Sequence, residues 1–247
     1  MRSIVHSIRF LLFLATLFLL STIAVQAEEG VTIAAGAGYK RLVDKLCTAY
    51  TAKSKVKVDR IFGNMGQITA QAQESRAIDF IMGDKQFLDA TKLVFTQELT
   101  MGNGKLIAVV TKGLKIKNLD ALTDTIVTRI AIADSKKAIY GHAAKEFLNH
   151  KGIWKQIQPK LLMVSTVPQV TAYVLTGEVD VGFINLTDAL AIKDKVELLI
   201  PINEKMYSPI LIVAKRLQQS TNTRAADSFV AFLKSEEAQK MLKENGL

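Results

Sequence analysis

The amino-acid sequence predicts an α/β protein of two lobes, each a mixed, mostly parallel sheet flanked by helices, joined by two crossover strands. Short apolar runs rich in β-branched residues alternate with amphipathic stretches, which is typical of parallel sheets with helical connections. The alternation occurs twice, and the second series of strands and helices begins near residue 104. No Gly/Ser-rich linker separates the two halves, so strands are expected to connect them.

Residues 1–27 have the features of a cleaved secretory signal peptide. Arg2 and Arg9 form a basic segment, a long apolar run follows, and Val25-Gln26-Ala27 is a small-residue cleavage site. The apolar run is also nearly long enough for an uncleaved signal anchor. A polar residue follows directly at Glu28, which favours cleavage. The mature protein is then expected in the periplasm.

The first half of the mature chain predicts a β-α-β-α-β unit. Each apolar run ends at a turn, and the segment after it has helical periodicity. Strands are predicted over 31–36, 56–62 and 77–83, with helices over 38–53, from Met65 onward and over 84–92. Ligands of such sheets lie beyond the carboxyl ends of the parallel strands.

The second half continues the alternation. Strands are predicted over 104–113, 128–134, 160–165, 179–184, 196–202 and 207–217, with helices over 138–150, 167–176 and two within 222–245. The long strands at 104–113 and 207–217 are interpreted as the crossovers. Residues 28–110 and 208–247 are therefore assigned to the first lobe, and residues 111–207 to the second. Two lobes joined in this way predict a cleft that closes about a hinge.

The chain is basic. Its formal charge is +9, which falls to +7 when Arg2 and Arg9 leave with the signal peptide. A basic exported protein can attract anions, and the same charge also fits an ordinary solvated surface. The lysines are scattered and no aromatic residues are interleaved with them, so nucleic acid is not an expected partner.

The sequence offers little for catalysis or metal binding. Cys47 is the only cysteine, which excludes an intrachain disulfide, and its apolar helical neighbours favour a core position. His142 and His150 are the only histidines after the signal peptide, so no metal site or Ser/His/Asp arrangement can be assembled. Asp84 and Asp134 end predicted strands, where capping accounts for both, although a mechanism by carboxylates alone stays open. No enzyme activity, metal or cofactor is expected.

The stretch "TIAAGAGYKR", residues 32–41, places glycines at a strand-to-helix turn. Gly36 and Gly38 begin the spacing of a dinucleotide-binding motif, but Arg41 stands where the third glycine belongs. A similar turn is predicted at 63–66. Helix N-termini at such turns present N–H groups and a positive dipole end, and glycine permits close approach of a ligand. The turns therefore suit an anion, or the glycines serve only the tight turns.

The order of these segments resembles the molybdate-binding proteins of ABC importers, which are type II periplasmic binding proteins. The opening "VTIAAGAGYKRLVDKL" is similar to the family pattern "VTVFAAASLTDAL". The segment "FGNMGQITAQAQESRAIDFIMGDKQFLD" follows "F-x-S-S-x-x-L-A-x-Q-I-x-x-G-x-x-A-D-x-F-x-S-A-D-x-x-x-M-D". Three later segments, beginning at Ile130, Pro159 and Ala225, match in order and spacing. The resemblance implies the two-lobed fold of that family.

The resemblance also implies a set of ligand-binding residues in the cleft between the lobes. The family's two serines fall at Gly38 and at Met65, or at Asn64 if the register shifts by one. Its tyrosine falls at Asn185. With the backbone contacts of the family and the neighbours in both turns, the expected ligand-binding residues are Gly36, Gly38, Tyr39, Asn64, Met65, Gly66, Tyr140, Val167 and Asn185.

Three hydroxyl donors of the family are missing at these positions. A hydrogen bond to a charged partner contributes about 1.5–3 kcal/mol, so three lost without replacement mean roughly 4–9 kcal/mol. That is on the order of 10³–10⁶ in affinity. Tyr140 could restore one hydroxyl, and Asn64 or Asn185 could supply amide donors. The expected ligand is therefore a small, oxyanion-like anion other than molybdate or tungstate.

The expected function is that of the periplasmic solute-binding component of an ABC-type importer. Such a protein holds its solute between the lobes and presents the closed form to a membrane permease. It is expected to act as a monomer. The alternative is an envelope sensor or partner-binding protein that kept the fold without transporting molybdate.

Overall fold

The computed structural model describes residues 30–247, and the predicted signal peptide lies outside the described residues. Within residues 30–247, ten strands, β1 to β10, span Gly30–Gly36, Lys57–Gly63, Phe80–Asp84, Phe95–Gly104, Leu106–Val110, Ile130–Ala133, Leu161–Val164, Val181–Asn185, Leu198–Pro201 and Ile210–Leu217. In the same part of the chain, nine α-helices, α1 to α9, span Lys40–Ser54, Met65–Glu74, Lys85–Asp89, Ile139–His150, Trp154–Ile157, Val167–Thr176, Leu186–Ile192, Thr223–Leu233 and Glu236–Glu244.

The strands form two five-stranded sheets. The first has the order β2-β1-β3-β10-β4, and the second has the order β7-β6-β8-β5-β9. In each sheet, three strands that precede a helix run parallel. The strand that arrives from the other lobe, β10 or β5, pairs antiparallel with both of its neighbours. The predicted two-lobed α/β fold is confirmed, and each sheet is mixed, with four strands in one direction and only the arriving strand reversed.

The chain passes between the sheets at Lys105 and again within residues 202–209. β4 ends at Gly104 and β5 spans Leu106–Val110, so the strand predicted over 104–113 is present but shorter, and the chain changes sheet just before it, at Lys105. Residues 106–110, which the sequence assigned to the first lobe, pair within the second sheet. β4 is absent from the predicted strands because its sequence is largely polar and Gln97 interrupts the apolar alternation of Phe95, Leu99 and Met101.

The buried faces follow the predicted periodicity. α1 buries Leu42, Val43, Leu46, Cys47 and Tyr50. Cys47 is 1% exposed, and burial raises the pKa of its thiol to about 12, so it is a core residue as predicted. α8, the next-to-last helix, packs in the first lobe, where Phe229 meets Tyr50 edge-on with ring centroids 5.0 Å apart.

The two aspartates that end strands serve the neighbouring backbone. Asp84 accepts a hydrogen bond from Phe87 N at 2.9 Å and caps α3. Asp134 accepts from Lys136 N at 2.8 Å and from Lys137 N at 3.0 Å. Over residues 30–247, no group of three or more His, Cys, Asp or Glu residues is placed to hold a metal ion. No helix in that range is long and apolar enough to cross a bilayer.

Candidate functional site

Two turns lie side by side at one edge of the first sheet. β1 and β2 are parallel neighbours, and Gly36 at the end of β1 is in register with Gly63 at the end of β2. A short 3₁₀ turn, Ala37–Tyr39, leads from β1 into α1. After β2, Asn64 caps α2 by accepting a hydrogen bond from Gln67 N at 2.9 Å. The starts of α1 and α2 therefore lie at the same edge of the sheet.

The second lobe presents a matching pair of helix starts. β6 and β7 are parallel neighbours, and α4 and α6, which begin at Ile139 and Val167, follow them. A cavity of about 20 Å³ lies between the two pairs of helix starts, which is room for little more than one water. It is lined by Gly36, Ala37, Gly38, Tyr39, Gly63, Asn64, Met65, Ala138, Ile139, Tyr140, Thr166 and Val167.

The structure brings most of the expected ligand-binding residues to this cavity. These are Gly36, Gly38, Tyr39, Asn64, Met65, Tyr140 and Val167. Gly66 and Asn185 are not in its lining and instead contact the opposite lobe. Gly66 N donates to the backbone oxygen of Lys137 at 3.3 Å. The lining residues that were not expected, such as Ala138 and Thr166, each adjoin an expected residue or its turn, so the strand-to-helix turns were the available signal.

A pair of tyrosines spans the cavity. The hydroxyls of Tyr39 and Tyr140 are hydrogen-bonded to each other, and their ring centroids are 6.2 Å apart. Both side chains are buried, and this burial raises the pKa of each phenol above its ordinary value, so both hydroxyls are neutral. The pair lies against Gly104, where an added Cβ would be 3.0 Å from Tyr39 Oη and would overlap Tyr140 Oη. Glycine at 104 therefore permits this arrangement beside the first crossing.

Asn185 makes a contact between the lobes with one end of its amide. Its Nδ2 donates to the backbone oxygen of Gly38 at 2.9 Å. Its Oδ1 is buried and has no hydrogen-bond partner within residues 30–247. An added Cβ at Gly38 would lie 3.0 Å from that oxygen. The amide donor that could have replaced the family's tyrosine is thus already bonded to the protein.

Asn64 also joins the lobes. Its Nδ2 donates to Ser165 O at 3.2 Å and to Ser165 Oγ at 3.1 Å. Because Asn64 Oδ1 caps α2, both ends of this amide are engaged. Its side chain therefore contributes to the contact between the lobes and to the helix cap.

Met65 occupies a family serine position with an apolar side chain. It is 1% exposed and packs with Ala34, Ile68 and Ile81 in the core of the first lobe. Gly83 leaves room for its thioether, because an added Cβ there would overlap Met65 Sδ. The position supplies packing instead of a hydrogen-bond donor.

An ion pair connects α1 with α7 across the lobes. Arg41 Nε lies 3.2 Å from Asp188 Oδ1, and Thr171 Oγ1 donates to Asp188 Oδ2 at 2.5 Å. Burial raises the pKa of Asp188, while Thr171 and Arg41 oppose that rise. Sequence reasoning missed this pair, because its partners are far apart in the chain and no local pattern marks them.

Among residues 30–247, no charged side chain lines the small cavity. A ligand there would meet two phenol hydroxyls, the Asn64 amide, the Thr166 hydroxyl, apolar side chains and backbone groups at the helix starts. The positive ends of the helix dipoles favour a negative ligand in such a place.

Known proteins share this architecture. A family model described as bacterial extracellular solute-binding protein matches residues 31–247. The chain belongs to this family. Molybdate-binding proteins of Rhodobacter capsulatus and Escherichia coli are each 26% identical to it over 236 residues. The first alignment covers 93% of each chain, and the second covers 89% of this chain and 90% of its relative.

A solved structure shows the same fold. The periplasmic molybdate-binding protein of Azotobacter vinelandii superposes with a TM-score of 0.81 at 19% identity, covering 87% of this chain and 97% of the other. The predicted resemblance to the molybdate-binding proteins is confirmed. The matched proteins are solute-binding proteins rather than enzymes, and as a member of the family this chain is an extracellular or periplasmic solute-binding protein.

Proposed function

We propose that the protein is the periplasmic solute-binding component of an ABC importer and holds a small, oxyanion-like anion in the cavity between its lobes. The starts of α1, α2, α4 and α6 meet around this cavity, which carries the proposal. Helix N-termini offer N–H groups and a positive dipole end to a negative ligand. The molybdate-binding relatives support an anionic solute. The protein acts as a monomer and presents its closed form to a membrane permease.

Molybdate itself is not the solute we propose. Gly38, Met65 and Asn185 carry no hydroxyl, and the amide N–H of Asn185 is bonded to Gly38 O. Two hydroxyls that share one hydrogen bond leave one proton for a third group, so the Tyr39–Tyr140 pair can offer a ligand one bond. A densely charged oxyanion needs several donors to offset its lost hydration. One side-chain donor suits a less densely charged anion.

Closure follows from where the ligand lies. A solute that contacts the helix starts of both lobes binds the closed form more tightly than the open form and shifts the population toward it. Because the cavity measures only about 20 Å³, a larger solute makes room by moving side chains or parting the lobes. The solute's size would then set the degree of closure that a permease meets.

A second candidate function is an envelope sensor or partner-binding protein. The direct bonds between the lobes favour it, because Tyr39 bonds Tyr140 and Asn185 bonds Gly38 without an intermediary. Bonds between protein groups then stabilise the closed form without a solute, and a bound solute increases the population of that form by less. In that role, a partner protein would recognise the closed form.

Isothermal titration calorimetry with molybdate, tungstate, sulfate, phosphate and small organic acids tests these functions. We expect an anion other than molybdate or tungstate to bind, and the double variant Tyr39→Phe/Tyr140→Phe, which leaves no phenol donor, to weaken that binding about 10-fold, the equivalent of one hydrogen bond to a charged group. Tyr173→Phe is the matched control, because Tyr173 is not in the lining of the cavity. Sub-micromolar molybdate binding would refute the ligand assignment. If no member of the panel binds, the sensor becomes the better function.

A further inference from the structure

A second and larger cavity, of about 250 Å³, also lies between the lobes. α3 of the first lobe lines it with Phe87, and α4 of the second lobe lines it with Ile139 and Ala143. Residues 208–210, at the second crossing of the chain, complete the lining. Ala138 and Ile139 are shared with the small cavity, so the two spaces adjoin at the start of α4.

The buried charge of this larger cavity is negative. Asp84 lines it at the end of β3 and is 9% exposed. Burial raises the pKa of the Asp84 carboxyl, although hydrogen bonds from the backbone of Phe87 and Leu211 oppose the rise. Within residues 30–247, Asp84 forms no ion pair. A buried carboxylate of this kind gains from a positive partner.

None of the other titratable groups of the lining pairs directly with Asp84, although the charge of nearby His142 opposes the rise in the pKa of the Asp84 carboxyl. Glu146 accepts from Ser208 N at 2.7 Å and from Ser208 Oγ at 2.8 Å, and its Oε1 lies 3.3 Å from His142 Nε2. His142 and Lys136 are exposed, so water and salt screen their charges. The charge of Asp84 acts through protein of lower dielectric constant and is felt more strongly inside the cavity.

We propose that this larger cavity is a second ligand site and binds a small organic cation. The cation's ammonium group lies at Asp84, and its apolar body packs against Phe87, Ile139 and Ala143. Burial of hydrocarbon adds about 25 cal/mol per Å² of apolar surface removed from water. The volume is just below the roughly 300–1,000 Å³ of pockets that hold drug-sized ligands, so the cation is small. This site is separate from the function proposed above and does not depend on it.

Occupancy of this site is coupled to closure. Its walls come from both lobes, so a cation that touches α3 and α4 together favours the arrangement in which these helices face each other. By reciprocity, an anion that closes the small cavity raises the affinity of the larger one, and the cation raises the affinity for the anion.

Calorimetric titration of the purified protein with benzylamine, benzyl alcohol and benzoate tests the site, because the three share a body and differ in charge. Benzylamine is expected to bind at least about 10-fold more tightly than benzyl alcohol, and benzoate more weakly than both. Asp84→Asn keeps an acceptor for the start of α3 and removes the charge. It is expected to lower benzylamine affinity about 10-fold and to leave benzyl alcohol unchanged. Asp180→Asn is the matched control, an aspartate that accepts backbone bonds away from this lining.

A blocking variant completes the test. Ala90 is exposed and lines the cavity, so Ala90→Tyr can fill it without disturbing the core and is expected to abolish benzylamine binding. Equal affinities for benzylamine and benzyl alcohol would overturn the proposal. So would benzylamine binding that survives Ala90→Tyr or Asp84→Asn. Anion titrations on the Asp84→Asn protein report the small cavity separately, so a failure of one site is distinguishable from a failure of the other.

Discussion

Tyr39 and Tyr140 join the two lobes through a hydrogen bond between their hydroxyl groups. Tyr39 immediately precedes α1 in the first lobe, and Tyr140 lies in the first turn of α4 in the second. Both side chains are buried, so neither hydroxyl has bulk water as an alternative partner. The same pair therefore joins the lobes and places its hydroxyl groups in the lining of the small cavity.

Removing this bond one hydroxyl at a time gives the first prediction. Tyr39→Phe and Tyr140→Phe each leave the other hydroxyl buried and unpaired, which costs about 1–3 kcal/mol of unfolding free energy. The double variant leaves no unpaired hydroxyl, so it is expected to lose less than the sum of the single losses. Urea unfolding of the four proteins measures the coupling energy. Strictly additive losses would show that the two hydroxyls do not interact.

Gly104 gives the second prediction. A methyl group there would overlap Tyr140 Oη and lie 2.8 Å from Ile210 Cγ2, so Gly104→Ala is expected to destabilise the protein by about 1–3 kcal/mol. Gly36→Ala is the matched control, because an added Cβ at Gly36 has its nearest neighbours at 3.8 Å. Thermal unfolding compares the two variants. Equal melting temperatures would contradict the crowding at Gly104.

Position 38 gives the third prediction, which concerns the missing hydroxyls. Gly38→Ser restores a donor where the molybdate-binding family has a serine, and Gly38→Ala adds the same Cβ without one. The serine variant is expected to bind molybdate more tightly than the alanine variant by about 1.5–3 kcal/mol, or about 10- to 100-fold. Calorimetry on the two variants isolates the hydroxyl, because both carry the same contact of Cβ with Asn185. Identical affinities would mean that this position does not face the anion.

Cys47 gives a prediction about alkaline pH. Burial raises the pKa of its thiol from 9.0 to about 12, so the unfolded chain loses this proton at a lower pH than the folded protein. The resulting stabilisation is complete below about pH 9 and is lost as the pH rises toward 12. Between about pH 8 and 10, the natural protein should lose about 1.4 kcal/mol more unfolding free energy than Cys47→Ala. Urea unfolding at both pH values checks this, and equal losses would place the thiol in a more polar environment.

The sequence predicted the parts of the fold that local patterns determine. α1 and β3 have clear periodicity or an unbroken apolar run, and the structure contains both. The first crossing was predicted within the strand 104–113, with the lobe boundary after residue 110, whereas the structure changes sheet at Lys105. The Asn103-Gly104 pair just before Lys105 is a turn signal that was not used. Which sheet a strand joins depends on distant partners, such as the pairing of Leu106 with Asn185, and not on its own residues.

Some features of the candidate site were likewise predicted from local sequence, and others were not. The turns at 36–39 and 63–66 were predicted from glycines that follow strands, and the structure sets them side by side. The bonds that cross the cleft were not predicted, since Asn185 and Gly38 are 147 residues apart in the chain and Tyr39 and Tyr140 are 101 apart. Such partners become neighbours only when both lobes have formed.

Lys105, the lone residue between β4 and β5, is one of the two places where the chain passes between the lobes. The tyrosine pair lies against Gly104, one residue from this connection. If the lobes rotate about this connection, atoms far from it move further than the tyrosine hydroxyls do. Two bound ligands that differ by a single atom would then give measurably different outer surfaces to a docking protein.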